Sequence, residues 1–305
     1  ILDREDSKKK VKDILVAKGH DPKKIEPSKV LNIISKQKGN NISLATYTSK
    51  TLTKEEGYTG ETVAAIWKEY ESELAKEKAV DFDDLLSLPV KILREHADVR
   101  THLQNKWKYI HVDEYQDTNP IQYELCKLLA GDTHNIAVVG DADQTIYSWR
   151  GANIKHILEF EHDFPGTNVV LLEQNYRSTG IIIETANSII NKNIFRTKKT
   201  LFTEKDRGDT ITQYVGLDEI DESNYVAREI QKLLRSGVQP SDIAVLYRAN
   251  FQSRVLEEAM LRKNVPYQVL GTKFFERKEV KDILSMLKLA YNRESSSNLV
   301  RAINL

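Results

Sequence analysis

One cysteine, Cys126, stands in a chain of 305 residues. An internal disulfide framework is therefore excluded, and a reducing, cytoplasmic compartment of bacterial type fits, with nucleoid association expected. Cys126 sits in the helical run QYELCKLLA, where a thiol packs as a small hydrophobe. No stretch of about 18 apolar residues occurs, so no membrane span is expected. Neither sign of charge is in excess: Lys+Arg and Asp+Glu are both 45. Bulk charge thus gives no hint of nucleic acid, and any binding face must be a local patch. Internal repeats and low-complexity tracts are absent. None of the 13 glycines opens G-x-x-x-x-G-K-[ST], the loop whose backbone amides and Lys cradle nucleotide phosphates. The N-terminus, ILDREDSKKK, is charged from its third residue and is no signal peptide. It also lacks an initiator Met, and both chain ends are expected to fall within domains.

What is present suffices for ordinary cores: 40 % of residues are hydrophobic and 30 % charged, over a length that accommodates two domains. Residues 1–78 read as helical and polar. Asp6 or Ser7 is expected to cap a helix through about Ala17, and Pro27–Ser28 opens another that ends near Gly39. A third runs from about Gly60 to Lys78, with Val63, Ile66, Trp67, Tyr70 and Leu74 on one face. From residue 80 the pattern changes to apolar runs alternating with helices. Strands are expected at 108–112, 136–140 and 169–173, then near 210–215, 243–248 and 267–270. Helices are expected from DFDDLLSLPVKIL and over 120–130, 153–161, 179–192, 218–235, 250–263 and 276–291. This is the pattern of βα units and parallel sheets, with a join near 173–178.

Three stretches carry chemistry. In KYIHVDEYQDTN (108–119) a strand runs into the pair Asp113–Glu114. A carboxylate there can hold Mg²⁺ on nucleotide phosphates, and its neighbour can deprotonate an attacking water. The C-terminal end of a strand is where α/β sheets bind ligands. A surface turn would account for the acidic pair alone; the longer VDEYQDTN is more specific. In GDADQTIYSWRGA (140–152), Gln144 can hydrogen-bond a γ-phosphate or its water. Tyr147, Trp149 and Arg150 place two aromatics and a cation within four residues, suited to stacking on unpaired bases and neutralising their backbone. The alternative for Trp149 is core packing. In LEQNYRST (172–179), Arg177 is placed as an arginine finger and Tyr176 as a stacking partner for a base; the alternative is a helix-capping turn at Ser178 or Thr179.

In this order and at these spacings, the three stretches resemble motifs II, III and IV of superfamily 1 DNA helicases of the UvrD/Rep/PcrA type. DFDDLL (81–86), VLYRANFQSRVLEEAM (245–260) and FFERKEVKDILSML (274–287) resemble further segments of the same family, so the likeness covers nearly the whole chain. It implies an α/β fold of two partial RecA-like P-loop NTPase motor domains with parallel sheets, plus an all-helical inserted domain. By position, residues 1–78 are similar to domain 1B, 79–173 to the second part of motor domain 1A, 174–290 to the first part of motor domain 2A, and 291–305 to the start of domain 2B. The implied activity is ATP-dependent 3′–5′ translocation on single-stranded DNA and at single-strand/duplex junctions, with ATP and Mg²⁺ as cofactors. The resemblance makes Asp113 the Mg²⁺ ligand, Glu114 the catalytic base, Gln144 the γ-phosphate coupler, and Arg177 the finger beside an adenine-flanking Tyr176. Tyr147, Trp149, Arg150 and Arg254 become DNA contacts, with Arg248, Asn250 and Ser253 as lesser ones.

The missing phosphate cradle is the main departure. The family carries it before domain 1B, and further motifs after domain 2B, so this polypeptide alone is expected to bind ATP weakly and not to hydrolyse it. It is also expected to expose apolar sheet faces and to associate. Two other readings are a non-catalytic single-stranded nucleic-acid-binding module on a degenerate motor fold, and the helicase subunit of a helicase–nuclease complex. The intact Asp113–Glu114, Gln144 and Arg177 argue against the first; the lack of a nuclease cluster argues against the second.

Overall fold

The computed structural model describes residues 1–53, 57–193, 199–269, 278–291 and 296–303, with backbone alone at 51–53, 57–59, 150, 278–279 and 296–297. Two compact units result: one from Ile1–Gln174, Ala186–Leu201 and Asp282–Leu305, the other from Asn175–Thr185 and Phe202–Lys281.

The first unit opens with four helices, α1 (Arg4–Ala17), α2 (Pro27–Gly39), α3 (Leu44–Thr53) and α4 (Gly57–Lys76). The cap of α1 is Asp3, earlier than either Asp6 or Ser7. Its side chain accepts from the amides of Glu5 and Asp6, and Asp6 completes a capping box. Asp6 reaches back as the third helical residue, so the acidic run that suggested a cap there marks the first turn instead. Val63, Ile66, Trp67, Tyr70 and Leu74 are all buried, packed with Val11, Leu15 and Ile34. α3 packs Leu44 and Tyr47 against the same core, but LATYTSKTLT carries four Thr in ten residues, a composition that favours helix weakly, so the sequence did not announce it.

α5 (Asp84–Glu95) and α6 (Ala97–Lys106) lead into β1 (Ile110–Val112). After β1 the chain forms α7 (Pro120–Ala130), whose cap Asn119 makes a capping box with Gln122, then β2 (Ile136–Val138). The two strands pair in parallel, Ile110 with Ile136, His111 with Ala137 and Val112 with Val138. Tyr115, Ala130, Phe160 and Phe164 form the core beside them. The helix expected over 153–161 is two short ones, α8 (Lys155–Leu158) and α9 (Phe160–Asp163).

The second unit holds α11 (Glu219–Arg235), capped by Asp218, and α12 (Ser253–Arg262), packed around Ala227, Ile230, Ala259, Met260 and Val265. α10 (Gly180–Ile190), α13 (Lys278–Tyr291) and α14 (Ser296–Ile303) complete the described helices.

The sheet departs from the expectation. Among the described residues it has two strands, and residues 169–173, 210–215, 243–248 and 267–269 are not paired; residue 270 lies outside the described residues, as do 274–277 of FFERKEVKDILSML. Even β1 is only half-buried, with His111 exposed. An apolar, β-branched run satisfies the sequence pattern of a strand, but a ladder forms only where a second backbone lies alongside to take its N–H and C=O groups. Without that partner, Val170, Leu172, Val215 and Leu246 stand exposed.

Candidate active site and nucleic-acid face

The short parallel ladder delivers two loops side by side. Beyond the last paired residues, the Val139 amide donates to the Val112 carbonyl (2.8 Å) and the Tyr115 amide to the Val139 carbonyl (3.0 Å). Asp113–Glu114 and Gly140–Asp141 therefore leave the sheet at the same edge, the C-terminal edge where α/β folds gather ligands. Glu114 turns the chain with a left-handed backbone (φ 50°, ψ 41°). For a residue with a Cβ this conformation is costly, and it concentrates at functional turns. Both carboxylates face solvent. The Glu114 amide donates to Asp113 Oδ1 at 2.9 Å, which fixes the Asp113 side chain.

The 140–144 turn is built around Asp141. Its Oδ1 accepts from the Asp143 amide (2.9 Å) and its Oδ2 from Gln144 Nε2 (2.9 Å). Lys199, 58 residues further along the chain, ion-pairs with the same carboxylate. Burial opposes the Asp141 charge, but the Lys199 ammonium and the Gln144 amide outweigh it and hold the carboxyl below its ordinary range. The side chain of Gln144 is thereby tethered while staying exposed. Next along the chain, Trp149 is 66 % exposed, with its ring centroid 6.3 Å from that of Tyr147. Core packing does not account for Trp149. The side chain of Arg150 lies outside the described residues.

The remaining positions belong to the second unit. Asn175 Oδ1 accepts from the amides of Arg177 (3.0 Å) and Ser178 (2.8 Å), forming the turn that presents Tyr176 and Arg177, both exposed. Lys205 Nζ donates to the Arg177 carbonyl at 2.9 Å. Arg248 and Asn250 are exposed, Ser253 begins α12, and Arg254 pairs with Glu258 one helical turn on (3.1 Å) at the surface. The structure thus links Asp113, Glu114 and Gln144 within one unit and assigns Tyr176, Arg177 and the 248–254 residues to the other.

Among the described residues no group of three or more His, Cys, Asp or Glu could cage a metal. Mg²⁺ does not need one, because it keeps several waters and takes one or two carboxylates plus substrate phosphates. Asp113, oriented by the Glu114 amide at a solvent-facing edge, fits that role. Sequence reasoning missed three residues here: Gln116, Asp141 and Lys199. Gln116 and Asp141 lie inside the quoted motifs but read as turn residues, and nothing local in the sequence ties Lys199 to Asp141.

A family model described as the UvrD/REP helicase N-terminal domain matches residues 1–165, and one for the UvrD-like helicase C-terminal domain matches residues 170–305. The chain is 44 % identical over 306 residues to the ATP-dependent DNA helicase PcrA of Staphylococcus aureus (strain Mu50 / ATCC 700699), covering 100 % of this chain and 41 % of that protein. It is 43 % identical over 307 residues to the same-named protein of Staphylococcus epidermidis (strain ATCC 12228 / FDA PCI 1200), again over 100 % and 41 %. The chain therefore spans about two fifths of the length of these curated relatives.

Proposed function

The chain belongs to the UvrD/Rep/PcrA family of superfamily 1 helicases, and from that premise we propose that it is the core of an ATP-dependent motor moving 3′ to 5′ on single-stranded DNA. One observation carries the reading: paired parallel strands bring Asp113–Glu114 and the Gln144 turn to one sheet edge, and that turn runs directly into the exposed Tyr147–Trp149 pair. Nucleotide and strand are thereby addressed by one continuous loop. No helix is long and apolar enough to cross a membrane among the described residues.

In this reading Asp113 holds Mg²⁺, which supplies charge neutralisation at the phosphates when bound. Glu114 takes the proton of the attacking water onto its carboxylate. Gln144 hydrogen-bonds the terminal phosphate or that water, and Asp141 holds its amide in place. Arg177 stabilises charge on the transferring phosphoryl group, while Tyr176 flanks the base. Tyr147 and Trp149 stack on unpaired bases, with Arg150 and Arg254, and secondarily Arg248, Asn250 and Ser253, along the strand. Residues 1–78 serve as the helical domain 1B, 79–173 and 174–290 as parts of motor domains 1A and 2A, and 291–305 as the start of 2B. Single-strand/duplex junctions are the substrates, in a bacterial cytoplasm.

The phosphate cradle is not in this sequence, so the 305-residue polypeptide by itself should not hydrolyse ATP. Phosphate release in the presence of single-stranded DNA tests this, and turnover above about 1 s⁻¹, within the usual enzyme range, overturns it. In the complete helicase, Glu114→Gln should retain ATP binding and lose turnover; persistent turnover removes Glu114 as the base.

A further inference from the structure

Two residues beyond Glu114, Gln116 is 1 % exposed. A buried primary amide must satisfy both ends, and this one does so with two particular partners. Its Nε2 donates to Glu114 Oε2 at 2.7 Å, and its Oε1 accepts from the Asp141 backbone amide at 2.9 Å. The orientation is unambiguous, because only a carbonyl oxygen can receive the Asp141 N–H and only the NH₂ can donate to a carboxylate. From Asp141 the chain of contacts continues through Oδ2 to Gln144 Nε2. A hydrogen-bonded path therefore runs Glu114, Gln116, Asp141, Gln144, entirely within the first unit.

Gly140 makes the path possible by close approach. A Cβ at that position would lie 2.6 Å from Gln116 Oε1, 2.9 Å from Ile157 Cδ1 and 3.2 Å from the Tyr115 amide nitrogen. The backbone of the 140–144 turn is packed directly onto the Gln116 amide. The left-handed backbone at Glu114 completes the arrangement by starting the short turn Tyr115–Asp117 that tucks Gln116 beneath the loop.

We infer that Gln116 is a positioning residue: it aims the Glu114 carboxylate and ties it mechanically to the Gln144 turn, so that the base and the phosphate-sensing side chain move as one. The inference rests on the proposed reading of Glu114 and Gln144. A shift of the turn driven by DNA at Tyr147 and Trp149 would reach Glu114 through the single buried amide of Gln116, whose bond to the Glu114 carboxylate is charge-assisted.

The test compares Gln116→Met, Gln116→Glu and Gly140→Ala with Glu114→Gln. In the complete helicase, Gln116→Met should lower kcat about 10- to 100-fold, the effect typical of losing a hydrogen bond to a charged group. The KM for ATP should stay within about threefold, as should DNA affinity without nucleotide. In the 305-residue chain, hydrogen exchange at the Asp141 amide should speed up in Gln116→Met and Gly140→Ala. It should stay slow in Gln116→Glu, which keeps the acceptor but sets a second carboxyl against Glu114 so that the two share a proton, and that variant should also lose kcat. Gln116→Met combined with Gly140→Ala should be no worse than either alone. If turnover is lost in Glu114→Gln but kept in Gln116→Met, this inference alone falls. If turnover persists in Glu114→Gln, the base assignment falls and takes the inference with it. Additive losses in the double variant, or unchanged Asp141 exchange, also overturn it. Should Gln116→Met fail to fold, Gly140→Ala and Gln116→Glu decide by the same measurements.

Discussion

Replacing Lys38 by Met should expose how strongly the helical part of the first unit depends on one buried cation. Lys38 lies on α2 with its side chain 5 % exposed, and its ammonium contacts Asp84 Oδ1 (2.7 Å), Glu71 Oε1 (2.8 Å) and Asp81 Oδ2 (3.0 Å). Tyr70 adds a hydroxyl to Asp81 at 3.1 Å. Burial alone would discharge the lysine, but the three carboxylates outweigh it and hold its pKa above the ordinary range. Asp81 and Asp84 are themselves buried, so removing Lys38 leaves two carboxylates with no counter-charge. Breaking a buried pair in this way costs about 3–5 kcal/mol, a large share of a domain stability of about 5–15 kcal/mol. At a slope of about 2 kcal/mol per M, the urea midpoint should fall by roughly 2 M. Trp67 is buried in the adjoining core, whereas Trp107 and Trp149 are exposed, so the fluorescence change reports on this region. The pH dependence is diagnostic. Burial already pushes the Asp84 carboxyl above its ordinary range although Lys38 opposes it; with Lys38 gone that opposition is lost, and the folded state binds the extra proton. The stability of Lys38→Met should therefore recover relative to wild type as pH falls from 7 towards 5. A loss below about 1 kcal/mol, or one constant across that range, refutes the reasoning.

Two further measurements address the strand-binding face and the core beside the sheet. Trp149→Ala should weaken single-stranded DNA binding by about 1–3 kcal/mol, or roughly 5- to 150-fold, read by anisotropy of a labelled oligonucleotide at fixed salt; unchanged affinity removes Trp149 from the DNA face. His156 is buried, stacked on Tyr123 with ring centroids 4.5 Å apart, and its Nδ1 lies 3.1 Å from Thr118 Oγ1. Burial holds its pKa below the ordinary value despite the Thr118 backbone contact. The unfolded chain therefore takes up this proton first as pH drops below about 6.5. The stability advantage of wild type over His156→Phe should shrink between pH 7 and 5; a constant difference in melting temperature removes His156 as the titrating group.

Local chemistry made much of this protein legible in its sequence. The apolar stripe on α4 identified a buried face without reference to any partner, because helical periodicity is written within one element. The helix expected over 120–130 forms as α7, with Asn119 as its cap and Pro120 at its first position. VDEYQDTN and GDADQTIYSWRGA pointed to the candidate site as whole stretches, since the acidic pair alone would pass for a surface turn.

Pairing and long-range contacts were not legible. The runs at 169–173 and 243–248 look like strands from their side chains, but a ladder depends on a neighbouring backbone that no single segment encodes. The sequence by itself indicated most of the helices and the stretches that form the candidate site, since these follow from interactions within a few residues, but it missed α3, set the cap of α1 too late and joined α8 to α9. The tertiary structure alone decided that Lys38 meets Asp81 and Asp84 across some 45 residues, that Lys199 neutralises Asp141, and that Gln116 bridges Glu114 to the Gln144 turn. The reason is physical: a buried charge or amide must find its partners wherever the fold brings them, and sequence distance carries no information about that.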